Sequence, residues 1–251
     1  MAEASRRNGT RAVVQINYVG RKPHEMTLAE IEEASDAFVA AARRAVDAGF
    51  DGVQIHASHG YLISCFLTPS KNQRDDAYGD GPDGRRKLLL EVTERVRDEI
   101  GPDRILCCKL GSVDGLDNSL PLDETVETAK QLEALELHAL ELSTTIGGEH
   151  MDPITEGIDS VEKEAYLLRE TVAVKEAVGI PVMQVGGLRT LSLMEQMVAE
   201  GKCDMISMCR PFLREPDIVN KFHDGMSTRS ACISCKKCLS QSGSICVFNR
   251  E

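Results

Sequence analysis

Gly52-Val53-Gln54-Ile55-His56-Ala57-Ser58-His59-Gly60-Tyr61-Leu62 is the stretch on which the fold and the chemistry of this chain turn. It opens as an apolar strand, in which alternate side chains share a face. Val53 and Ile55 are therefore expected on one side, Gln54 and His56 on the other. Gly60 permits a sharp break where the strand ends, and that break can swing His59 and Tyr61 back beside His56. Two imidazoles and a phenol around one small volume can donate hydrogen bonds and deliver a proton. The same residues admit a structural reading. A His-x-x-His pair also admits zinc, although no third ligand lies nearby in sequence.

The whole chain narrows the classes. Its 251 residues suit one large domain or two small ones. The net charge is -11, with both signs interspersed, which argues against nucleic acid as the main partner. No apolar run is long enough to span a bilayer. The opening Met1-Ala2-Glu3-Ala4-Ser5-Arg6-Arg7 has no apolar stretch behind its charges and does not read as a secretory leader. Nine cysteines in that setting imply a reducing compartment, hence the cytoplasm, with thiols or metal ligands rather than disulfides.

Residues 2–9 read as a helix end closed by Asn8-Gly9, and 12–16 as a short buried strand. Val19-Gly20-Arg21-Lys22-Pro23 reads as a loop. Thr27 stands three residues before Glu30, the capping-box spacing, and opens a helix that runs to about Ala48. Gly49 closes it. After the His-rich strand the unit repeats. Helices are expected over 86–99, 122–136, 162–178 and 191–200, and strands over 105–110, 139–143, 181–185 and 204–208. Such alternation means βαβ units and a parallel sheet. The regular spacing, without a Gly-x-Gly-x-x-Gly motif, favours an α/β fold of the (β/α) barrel type over a dinucleotide-binding open sheet. Polar residues gather where strands end, at Gln15, His56, Lys109, Ser143, Gly186-Gly187 and Arg210. In a barrel those ends line the active-site face.

Two further segments carry chemistry. Val185-Gly186-Gly187-Leu188 and Met208-Cys209-Arg210-Pro211 follow the last two strands, where barrels recurrently hold a phosphate. Glycine lets the backbone approach an anion, and Arg adds a forked cation. The bland alternative for the glycines is a tight turn. Near the end, Cys232-Ile233-Ser234-Cys235-Lys236-Lys237-Cys238 and then Cys246 place four thiols in a Gly/Ser-rich segment. Four thiolates suit an iron–sulfur cluster or tetrahedral zinc, and a reduced, metal-free hairpin is the third reading. Residues 1–225 are thus expected to form the barrel and 226–251 a Cys-rich tail.

These motifs together resemble the old yellow enzyme family of FMN-dependent ene-reductases and NADH:flavin oxidoreductases. The resemblance runs through nearly the whole chain. It is densest over Ala48 to Leu62 and Phe66-Leu67-Thr68-Pro69, continues in Asn72, Arg74, Asp76, Tyr78, Gly79 and Arg85, and includes Gln15 with Gly20-Arg21. It implies FMN as cofactor and NAD(P)H as reductant. Gln15 would hydrogen-bond the flavin pyrimidine edge, and Lys109 would stand near flavin N1 and O2. Gly187 and Arg210 would hold the FMN phosphate, and Gly186 and Cys209 would also bind the cofactor. His56 and His59 would grip the carbonyl of an electron-poor alkene or enoyl substrate, and Tyr61 would supply the proton. Cys232, Cys235, Cys238 and Cys246 would be the cluster ligands, although their first three are spaced one residue tighter than in the family's dienoyl-CoA reductases.

Strands one and two of the family's barrel have no counterpart here. Six strands, equivalent to the third to eighth, are therefore expected, with two unpaired edges. A longer protein, a homo-oligomer or a partner chain would fill the gap. The rival expectation is a truncated, non-catalytic barrel serving as an interaction subunit, or a gene fragment.

Overall fold

Period-two patterning becomes a two-faced sheet. The computed structural model describes residues 2–20, 22–113, 119–144, 157–240 and 243–249; Met1, Arg21 and the final 250–251 of the tail lie outside these. Strands β1 (Val13–Ile16), β2 (Gly52–Ala57), β3 (Ile105–Val113), β4 (Ala139–Thr144), β5 (Val182–Gln184) and β6 (Met205–Ile206) pair in sequence order, all parallel. Among the described residues β1 and β6 have one neighbour each, so the barrel-type sheet is open, with the two bare edges expected. Register aligns Ile55, Cys108, Leu140 and Val182 in one row, and all four are fully buried under the helices. The adjacent row, His56, Lys109 and Glu141, faces the other way and is polar. That alternation is what one helix-covered face and one functional face require.

The helices form where apolar spacing and caps allow. α1 (Ala2–Ser5) is a single turn. In α2 (Leu28–Asp47) the Thr27 hydroxyl accepts from the Glu30 N–H, and the Glu30 carboxylate accepts from the Thr27 N–H. Its Ile31, Ala34, Phe38, Ala42 and Ala45 are buried, the stripe that helical periodicity demands. α3 (Leu62–Leu67), unforeseen in the sequence, plugs the sheet end with Ile63 and Phe66. α4 (Gly81–Ile100) starts five residues before the expected 86, because Pro82 sits in the first turn, where a missing N–H leaves nothing unsatisfied. α5 (Leu122–Ala134) and α7 (Leu191–Ala199) fall where expected, near enough.

α6 (Leu168–Lys175) is much shorter than the 162–178 expected. The reason is local. Ala165 has φ 55 and donates its N–H to Gly186 O at 2.8 Å, so the segment before α6 is bound to the end of β5 and cannot coil. Strands β5 and β6 are likewise shorter than 181–185 and 204–208. Two short helices follow β6, α8 (Arg210–Arg214) and α9 (Ile218–His223), neither foreseen. In the tail, β7 (Leu239–Ser240) and β8 (Gly243–Ser244) make a small antiparallel pair. Among the described residues no helix is long and apolar enough to cross a membrane.

Phe66 lies wholly inside the main core and meets Tyr78 edge-on at 6.3 Å. Phe66→Ala should therefore lower unfolding free energy by about 3–5 kcal/mol in urea titrations. A loss below about 1 kcal/mol would show that α3 is not part of the cooperative core.

Candidate active site

Where β2 ends, the chain reverses within four residues. His59 has φ 62 and Gly60 φ 77. A non-glycine residue in that region is strained, and such strain gathers at functional sites. The reversal stacks three rings together. His56 and His59 have centroids 5.0 Å apart and His56 and Tyr61 4.7 Å apart, both edge-on at 75°. Tyr61 caps α3, which fixes its backbone. The Ser58 backbone N–H donates to His56 Nδ1 at 3.2 Å. A backbone N–H can only donate, so the neutral His56 ring carries its proton on Nε2 and can donate from there. His59 Nε2 is 2.6 Å from Ser143 Oγ at the end of β4.

Burial sets the charge of these rings. It pushes the His56 pKa down to about 3, helped by His59 and Lys109 and opposed by Glu141. It pushes His59 down to about 4, again with Lys109 helping and Glu141 opposing. Both imidazoles are thus neutral donors at ordinary pH.

Beside the rings opens a cleft of about 500 Å³. Gln15, Lys109, Gly186, Gly187, Cys209 and Arg210 line it together with His56, His59 and Tyr61, so the structure brings the expected flavin and substrate residues to one place. Across its floor runs a polar chain. Gln15 Nε2 donates to Gln54 Oε1 at 2.7 Å, and Gln54 Nε2 to Glu141 Oε2 at 3.0 Å. Glu141 Oε1 accepts from Lys109 Nζ at 2.6 Å and from Ser207 Oγ at 2.8 Å. Burial alone would raise the Glu141 pKa, but Lys109 and the three hydrogen bonds outweigh it and hold the carboxyl below its usual range.

At the other end, Gly186 and Gly187 have φ 124 and 69. A Cβ on Gly186 would stand 3.3 Å from the Tyr166 ring, and one on Gly187 3.1 Å from Ile158 Cγ1. Only glycine lets this turn lie so close to its support. The buried Glu164 pins the turn from behind, accepting from the N–H groups of Arg189 and Thr190 and from Thr190 Oγ1, each at 2.9 Å. Arg189 in turn donates to Cys232 O at 2.8 Å and ties the tail to the cleft.

Cys232, Cys235, Cys238 and Cys246 all line one small cavity, with Arg210 and Arg214. Among the described residues no three His, Cys, Asp or Glu side chains are grouped so as to hold a metal ion. The ligand set expected there for a cluster or zinc is therefore not assembled in this geometry.

Glu141, Ser207, Tyr166 and Arg189 line the cleft without having been singled out by the sequence pattern. Glu141 had a signal, a carboxylate at an alternate position of an otherwise apolar strand. Tyr166 had none, because it lay inside an expected helix.

Comparison with known proteins gives the family. The profile of the NADH:flavin oxidoreductase / NADH oxidase family matches residues 1–229. The chain belongs to that family. An NADH oxidase of Thermoanaerobacter brockii is 33% identical over 223 residues, which cover 88% of this chain and 34% of the relative. A 2-naphthoyl-CoA reductase structure superposes with a TM-score of 0.74 at 30% identity, over 82% of this chain and 32% of that one. An old yellow enzyme homologue from Zymomonas mobilis gives 0.66 at 26% identity, over 96% of this chain and 68% of that one. The chain thus spans about a third of the length of the oxidase and of the CoA reductase. As a member of the NADH:flavin oxidoreductase family it carries strands that match the family's barrel, and its cleft lies at their C-terminal ends.

The ring chemistry makes a pH prediction. With folded pKa values near 3 and 4, His56 and His59 should show no imidazole NMR titration between pH 8 and 5. A step near 6.5 in either ring would contradict their burial as neutral donors.

Proposed function

We propose that the cleft binds FMN and that the protein is an oxidoreductase passing hydride from NAD(P)H to an electron-poor C=C conjugated to a carbonyl. The observation that carries this reading is the meeting, in one cleft, of two neutral imidazoles and a phenol with a glycine turn and Arg210. The residues fit the cofactor. The volume of about 500 Å³ lies within the range of small-molecule sites, roughly 300–1,000 Å³. The positive-φ glycine turn offers a close backbone approach for a phosphate, and Arg210 opens the short helix α8 beside it. FMN, when bound, supplies the hydride relay.

The chain's own residues do the rest. Gln15 and Lys109 would hold the pyrimidine edge of the cofactor, where a cation steadies negative charge. His56 Nε2–H and a His59 donor hold the substrate's carbonyl oxygen and draw electron density from the double bond. Neutral donors accomplish this without desolvating an extra charge. Tyr61, beside His56 in the cleft, would supply from its O–H the proton for the carbon next to the carbonyl. Among the described residues the edges of β1 and β6 are bare, with Val13 and Met205 exposed on them, and such edges favour pairing with further polypeptide that completes the wall of the site.

Titration with FMN, followed by flavin fluorescence, tests the reading. One FMN per chain should bind. Gly187→Ala should weaken it at least about tenfold, since a Cβ there is strained and crowded. His56→Ala with His59→Ala should keep FMN but reduce enone turnover by about 10²–10⁴-fold. Protein that takes up no FMN would overturn the proposal.

A further inference from the structure

Glu141 is a carboxylate in the cleft that hydride transfer does not use. It is 7% exposed, and its partner Lys109 9%. Three separate elements aim donors at it: Lys109 from β3, Gln54 from β2, and Ser207 just after β6. Strand register sets Lys109 directly opposite Glu141 on one side and His56 on the other. The carboxylate thus holds the ammonium in the row that also carries the substrate-side imidazole.

The placement has an electrostatic consequence. Resting on the FMN reading above, Lys109 is the cation that meets the flavin's N1 and O2 edge. A carboxylate 2.6 Å from Nζ cancels much of that cation's field at the ring and competes for its protons. Reduced FMN carries negative charge on that edge, and oxidised FMN does not. Whatever weakens the Lys109 field therefore weakens the preference for the reduced form.

We propose that Glu141 is a positioning residue for Lys109 and sets, through its charge, how strongly the cleft favours reduced over oxidised FMN. Ser207 and Gln54 keep its two oxygens turned toward their partners, so the carboxylate stays fixed while the lysine contacts the cofactor. Sheet stability alone would be served as well by an apolar pair at these positions.

The test compares the affinities of oxidised FMN and of dithionite-reduced FMN for the whole protein at pH 8 under anaerobic conditions. Glu141→Gln keeps the volume and removes the charge. The ratio of oxidised to reduced dissociation constants should rise about tenfold, which corresponds to about 1.4 kcal/mol. Lys109→Met should move the ratio the opposite way. Glu141→Asp retains the charge on a shorter arm, and its ratio should fall between wild type and Glu141→Gln. Circular dichroism establishes that each variant is folded. If the wild type binds no FMN, the flavin reading fails. If FMN binds but Glu141→Gln leaves the ratio within about twofold of wild type, the role of Glu141 is refuted while the flavin reading stands. Should Glu141→Gln not fold, an unchanged ratio in both Glu141→Asp and Lys109→Met refutes it equally.

Discussion

In-register parallel pairing from β1 to β6 decides where every cleft side chain stands. A slip of one residue in any strand would turn its apolar set outward and its polar set into the helices. The row Ile55, Cys108, Leu140 and Val182 resists such a slip, since all four are fully buried. Burying an aliphatic side chain of this kind contributes roughly 1.5–3 kcal/mol. The opposing row contains an ion pair, Lys109 with Glu141, and a buried pair of that kind adds little net stability because both charges must be desolvated. The apolar face therefore holds the register, and the polar face is carried along with it. The helix-side core positions the chemistry.

The ends of the strands depend on a different constraint. Two of the turns that deliver cleft groups use backbone that most residues avoid: His59 and Gly60 after β2, Gly186 and Gly187 after β5. Such turns hold only if something packs behind them. The first is backed by α3, whose N-cap is Tyr61, and by the contact of His59 with Ser143. The second is backed by the Tyr166 ring and by the Glu164 carboxylate. At these two turns the strained backbone lies at the rim of the cleft and is supported by the groups packed against it.

Much of this was legible in the sequence because the relevant signals are local. Val53, Gln54, Ile55 and His56 alternate over four positions, Thr27 and Glu30 stand at capping-box spacing, and Gly60 and Gly186-Gly187 mark their turns outright. What was not legible is set by distant partners. The start of α6 at Leu168 rather than near 162 depends on a bond from Ala165 to Gly186, across more than twenty residues of chain. α8 and α9 are too short for a periodic signal. Glu141 is a charge in an otherwise apolar strand, a signal the sequence reading did not use, and its pairing with Lys109 follows from register between β3 and β4, which no single strand reveals. The Cys232 to Cys246 segment is the reverse case. Its spacing suggested ligands, but thiol spacing does not fix thiol geometry.

On the proposed reading, one cleft holds both a flavin phosphate and a carbonyl-gripping pair of neutral imidazoles. Diffraction from crystals grown with FMN tests it most directly. Phosphate density is expected at the Gly186–Gly187 turn and Arg210, with the ring system between Lys109 and the His56, His59 and Tyr61 cluster. Ring density away from the imidazoles, or a phosphate seated elsewhere on the chain, would contradict it.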